Sequence, residues 1–159
     1  MRCLPARVAG PAGQPPLPLP PTLSGTTVLV VDASVVVTAL ADDGPDGDRC
    51  RGRLAGQALA APQLMDLEVG SVMRRLIRSG DVPERRAHLA LTDLADLPVE
   101  RAPSLPLLPR CWELRDNLTI YDAAYVALAE ILDVALLTAD RRLARATGPR
   151  CPIDLVSAD

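Results

Sequence analysis

Four carboxylates stand out from the 20 acids of this 159-residue chain by their position. Asp32 follows directly on the apolar run VLVV (Val28–Val31), and Asp140 comes two residues after LLT (Leu136–Thr138). In open α/β sheets, ligands collect beyond the carboxyl ends of such strands. Glu68 falls at the margin of the apolar arc of a helix, and Asp122 in the first turn of the most apolar helix of the chain. Each has an ordinary explanation. Asp32 and Asp140 suit helix N-caps. Asp122, three residues after Thr119 in TIYD, resembles a capping box with Asp in place of Glu. Glu68 could pair with Arg74 or Arg75 on the surface. The joint placement of the four carries the argument, not any one of them.

Four carboxylates facing one cleft repel. At 4 Å and an effective dielectric of 20, each pair costs roughly 4 kcal/mol. Such a cluster persists only if a cation neutralises it or some members take up protons. The donors are all oxygens, which selects hard divalent ions, Mg2+ with Mn2+ as substitute, over zinc. The chemistry this points to is phosphodiester hydrolysis, with the ion activating water for in-line attack and stabilising the leaving oxygen. Ser34 and Thr138, each two residues from an acid, fit as groups that orient a carboxylate or a water; ordinary capping explains them equally well.

The elements that must position these acids follow from periodicity. VLVV reads as a strand buried on both faces, and Ser34–Leu40 as a helix. DDGPDGD (Asp42–Asp48) reads as a loop, with Asp48 capping a helix to about Gln57. Further strands are expected at Ala58–Ala61, Leu97–Glu100, Val134–Thr138 and, at an edge, Ile153–Val156. Gln63–Ser79 is a strong helix with Met65, Val69, Val72, Met73, Leu76 and Ile77 on one face, stopped by Gly80. Pro83 opens a helix to about Leu94, Ser104 one through Leu118, Ile120 one through Leu132, and Asp140 one to Thr147. Strands alternating with helices mean an α/β fold, mainly parallel, with helices on both faces of the sheet.

Composition excludes several classes. All 17 basic residues are arginine, so P-loop and Schiff-base chemistry, which need lysine, are out. The single histidine, His88, is assigned a structural place. The four cysteines (Cys3, Cys50, Cys111, Cys151) form no CxxC pair and are read as free thiols of a cytoplasmic protein. Aromatics are 2% with no Phe, which argues against a platform for successive bases; Trp112, Tyr121 and Tyr125 are assigned to the core. Arg74, Arg75, Arg78, Arg85 and Arg86 form one candidate phosphate-binding patch, and Arg141, Arg142 and Arg145 another beside Asp140. Residues 1–27 hold seven of the 16 prolines and no acid. PPLPLPP (Pro15–Pro21) reads as polyproline II, and the segment as a disordered tail or the product of a start codon placed too far upstream. The folded domain is expected over 28–159. No run is apolar and long enough to span a membrane.

VLVVDAS, APQLMDLEVGSVMRRL, LTIYDAAYVALAE and ALLTADRRLARA together resemble the PIN-domain ribonucleases, specifically the VapC toxins of bacterial toxin–antitoxin pairs. The likeness runs from about Val28 to the C-terminus, and the ordered set D, E, D, D is its most specific part. It implies a PIN-like three-layer α/β/α sandwich and a metal site of Asp32, Glu68, Asp122 and Asp140, with Ser34 as the hydroxyl residue after the first acid. It further implies Mg2+- or Mn2+-dependent endoribonuclease activity, a homodimer, and a VapB-type antitoxin. An antitoxin arginine placed among the acids would replace the cation. The competing reading is a PIN-like module that binds RNA or a partner without cutting. A phosphoacceptor receiver needs a lysine that is absent, and a haloacid-type phosphatase needs DxD where Ser34 stands.

Overall fold

The computed structural model describes residues 28–156; the proline-rich segment 1–27 lies outside the described residues, as do 157–159. Short aliphatic runs make the strands β1 (Val28–Val31), β2 (Ala58–Pro62), β3 (Val99–Ala102), β4 (Leu136–Thr138) and β5 (Ile153–Leu155). All pair in parallel in the order β3-β2-β1-β4-β5. In the central strand β1, Val30 is flanked by Ala60 and Leu136. The helices are α1 (Ala33–Ala41), α2 (Pro45–Leu54), α3 (Met65–Ser79), α4 (Glu84–Asp96), α5 (Leu108–Glu113), α6 (Ile120–Leu132) and α7 (Arg141–Ala144).

From β1 the chain steps to β2 and β3 in one direction, then returns to β4 and β5 on the other side of β1. Right-handed crossovers therefore put α1–α4 on one face and α5–α7 on the other. α1 packs against α2, α3 and α4, while α6 packs against α5 and lies over β1, β2 and β4. The result is the expected three-layer α/β/α sandwich. Val30, Val31, Val35, Val36, Met65, Val69 and Leu128 are fully buried between the layers, each stabilising the fold by roughly 1.5–3 kcal/mol. The order in which strands are added reverses between β1 and β4, and the carboxyl ends of these two strands lead into Asp32 and Asp140.

Several boundaries differ from the sequence reading. DDGPDGD is half helix: α2 opens with Pro45 at its first position, and Asp46 and Asp48 lie in the first turn, where the helix dipole favours acids. The helix expected over Ser104–Leu118 is a 3-10 turn (Leu105–Leu107) followed by the short α5, because Pro106 and Pro109 withhold backbone N–H groups. α7 stops at Ala144. Trp112 is 64% exposed, with the Arg115 guanidinium 4.9 Å from its ring centre, and Tyr121 is 62% exposed. Neither belongs to the core; Tyr125 does. Helical spacing alone does not say which side of α5 or α6 meets the sheet. His88 is exposed on α4. Cys50, Cys111 and Cys151 are free thiols. Among the described residues no helix is long and apolar enough to cross a membrane.

Candidate active site

Asp32 is the residue around which the rest is arranged. It leaves β1 at the centre of the sheet and is only 7% exposed. It stands at the N-cap of α1 but makes no side-chain cap. Its Oδ2 instead accepts from Ser34 Oγ (2.5 Å) and from Thr138 Oγ1 (2.7 Å). Ser34 Oγ in turn accepts the Ala139 N–H (3.0 Å), and Thr138 Oγ1 the Asp140 N–H (3.0 Å). The two hydroxyls thus stitch the end of β1 to the end of β4. Burial pushes the Asp32 carboxyl above its usual range; the two hydroxyl donors pull it down, and the charge of Asp122 pushes it up again.

Glu68 projects from the first turn of α3, on the margin of its buried face. Its Oε2 accepts from the hydroxyl of Tyr125 (2.5 Å), a buried side chain of α6. Burial raises the Glu68 carboxyl, Tyr125 lowers it, and the charges of Asp32 and Asp122 raise it further. The surface pair with Arg74 or Arg75 does not form: both arginines are exposed and make no ion pair among the described residues. Asp66, two residues earlier, faces Arg101 (3.2 Å) and is thereby kept apart from the acids.

Asp122 lies in the first turn of α6. Thr119 caps the helix by accepting the Asp122 N–H (3.1 Å) and donates its own hydroxyl to Asp122 Oδ2 (2.8 Å). Half of the capping box is realised: Asp122 accepts the Thr119 hydroxyl and not its backbone N–H. The same turn brings the charge of Asp122 to bear on Asp32 and Glu68. Asp140 is also a cap: its Oδ1 accepts the Arg142 N–H (2.7 Å) and its Oδ2 the Arg142 guanidinium (3.2 Å). Burial alone would raise the Asp140 carboxyl; the bonds from Arg142 outweigh it and hold it low. Asp140 is joined to Asp32 through Thr138.

Asp32 and Glu68 thus sense the charge of Asp122, while Asp140 is tied to Asp32 through Thr138 by its backbone N–H and turns its carboxylate to Arg142. Among the described residues no three His, Cys, Asp or Glu side chains close up into a ready-made metal cage. The donor chemistry fits a hard cation nonetheless. The interlocked groups are carboxylates and hydroxyls without His or Cys, and two of the carboxyls are raised with no cationic side chain bonded to them. Two participants escaped the sequence reading. Tyr125 looked like core, and nothing in the sequence pairs it with a residue 57 positions away. Arg142 looked only like a contact for RNA; its i+2 spacing from a cap was the available signal. Arg86, assigned to the basic patch, pairs with Asp43 (2.9 Å) instead. Arg141 stays beside Ala139 in a small groove with Thr38 and Cys50.

Residues 29–149 match the model of the PIN domain family. The chain is 48% identical over 128 residues to Ribonuclease VapC1 of Mycobacterium tuberculosis, covering 80% of this chain and 96% of that protein. Among solved structures it is similar to PAE2754 from Pyrobaculum aerophilum, with a TM-score of 0.60 and 26% identity over 84% of this chain and 88% of the other. A member of the VapBC family of toxin-antitoxin systems, VapBC-5 from Mycobacterium tuberculosis, shares the fold, with a TM-score of 0.52 and 18% identity over 83% of this chain and 99% of that one.

Proposed function

The chain belongs to the PIN-domain family, and from that premise we propose that it is an endoribonuclease, the toxin of a type II toxin–antitoxin pair. Asp32, Glu68, Asp122 and Asp140 would hold Mg2+, with Mn2+ as substitute. Once bound, the ion supplies neutralisation of the cluster and polarisation of a phosphate oxygen. The chain's own groups do the rest. Ser34 and Thr138 fix Asp32 through Oδ2. Tyr125 does the same for Glu68 through Oε2. Arg141 and Arg142 would bind phosphates of the RNA, as would Arg74 and Arg75 from α3. The observation that carries the reading is a buried carboxylate, Asp32, at the switch point of the sheet, raised by the charge of Asp122 and itself raising Glu68.

A VapB-type antitoxin is the partner this reading includes, its arginine competing with the cation among the acids. A homodimer is included as well, supported by exposed Leu105, Leu108 and Trp112 on a face that needs cover. The non-cutting module has one observation in its favour, the Arg142–Asp140 pair, which occupies an acid a cation would need. Purified protein incubated with total RNA decides between them. Cleavage should require Mg2+ or Mn2+, stop with EDTA and vanish in Asp32→Ala. Cutting that survives EDTA or Asp32→Ala overturns the mechanism, and a folded protein that cuts no RNA with Mn2+ present supports the module.

A further inference from the structure

We infer that the groove beside Glu68 takes one unpaired base of a single-stranded RNA, stacked on the ring of Tyr121. The inference rests on the ribonuclease reading above and specifies where the substrate strand lies. The groove holds about 470 Å³ and is lined by Leu64, Leu67, Glu68, Ser71, Val72 and Tyr121. It runs between the first turns of α3 and the first turn of α6. Leu67 is 77% exposed and Tyr121 62%, so its apolar walls stand in water. Large apolar side chains left exposed at the rim of a polar site mark a surface that a ligand covers.

Three observations select a base as that ligand. The first is position. Leu67 precedes Glu68 and Tyr121 precedes Asp122, so the apolar walls and the acids share the same helical turns. A base hangs one sugar away from its phosphate, so a phosphate held at a cation among the acids would bring its base to this groove. The second is charge. The lining contains Glu68 and no cation, so it suits a neutral planar group and repels a phosphate. The third is supply of aromatic rings. The chain has one Trp, two Tyr and no Phe. Tyr125 is buried in the core and Trp112 lies under Arg115. Tyr121 is the ring left free beside the acids. One ring makes a clamp for a single base, not a platform for several, which agrees with the low aromatic content. A paired base in a helix has its faces already stacked, so the groove selects unpaired RNA.

The test uses the full chain carrying Asp32→Asn, so that RNA is bound but not cut, and an unstructured 20-residue RNA with 2-aminopurine placed at each position in turn. One position should be quenched on binding. Adding Tyr121→Ala should abolish that quenching and weaken binding roughly 10-fold, while Tyr121→Phe should retain both. The same RNA annealed into a duplex should show no quenched position. In parallel, wild type and Tyr121→Ala are assayed for cleavage of total RNA. Wild-type cleavage together with unchanged quenching and affinity in Tyr121→Ala overturns this inference and leaves the ribonuclease reading standing. A wild type that neither cuts nor binds RNA removes both. Loss of a protein partner by Tyr121→Ala, with RNA binding intact, would make the groove a protein surface and also overturns it.

Discussion

At the last turns of α6, Glu130 faces Arg110, which donates to it from Nε (2.7 Å) and Nη2 (3.1 Å), and the backbone N–H of Arg150 adds a third bond (2.8 Å). Nearer its first turns, the same helix brings Asp122 and Tyr125 to Asp32 and Glu68, where hydroxyls are the only side-chain donors. Both regions bury carboxylates. At the clamp, burial pushes Glu130 up, but Arg110 and Arg150 bring it down overall. At the cluster nothing cationic offsets burial, and Asp32 and Glu68 stay raised. One end of the helix is complete as folded. The other holds charge in excess of its partners, and that excess is what a bound cation would relieve.

The contrast can be broken from either side. Asp32→Asn keeps an acceptor for Ser34 and Thr138 and deletes the buried charge. RNA cleavage should fall by about 10²–10³-fold, the scale for loss of one electrostatic group at a reacting centre. The cation-free protein should nevertheless melt higher than wild type, because an uncompensated buried charge is gone; a lower Tm would show that the acids are not in excess. At the clamp the reverse holds. Arg110→Ala strands Glu130 and should cost about 3 kcal/mol in urea unfolding, with cleavage per folded molecule unchanged.

Tyr125→Phe sharpens the comparison within the cluster. It removes the hydroxyl that fixes Glu68 and little else. Titration calorimetry should find Mn2+ bound about 10–100-fold more weakly, the range for groups that orient a metal ligand. The smallest effect is in pH. Asp32 and Glu68 are raised in the fold above their ordinary 3.8 and 4.5. The folded chain therefore binds their protons more tightly than the unfolded chain, so they favour folding more as pH falls from neutral toward those raised values. Glu130 and Asp140 are lowered; their contribution is full above their ordinary values and lost as pH drops through the lowered ones. Cation-free Tm should thus rise modestly on acidification from pH 7, then fall steeply below about pH 4 as the lowered acids protonate. Saturating Mn2+ should flatten the rise.

Much of the sheet was legible because its strands are short aliphatic runs ended by Pro, Asp or Gly, and α3 because its apolar face repeats cleanly up to Gly80, a left-handed cap at φ 81°. The switch-point rule turned two of those strand ends into candidate acids. What failed was local. Pro45 starts α2 three residues ahead of the Asp48 cap expected, because its fixed φ opens a helix without a side-chain cap; Ser104 holds the N-cap expected of it, but of a 3-10 turn and without a side-chain cap bond. Tyr121 and Tyr125, four apart on α6, were both given to the core; packing against β1 and β2 buries one and leaves the other at the rim. Asp122 shows that a place beside a helix cap is compatible with acting on other acids: bonded to the Thr119 cap, it still bears on Asp32 and Glu68.

The hydrogen bond from Thr138 to Asp32 joins residues 106 positions apart, and β1 needs β4 beside it before that bond can form. A ribosome making this chain releases Asp32 early and Thr138 near the end. Until β4 has emerged, the nascent polypeptide carries its acids scattered and harmless, and a premature stop before Leu136 yields a product unable to assemble them.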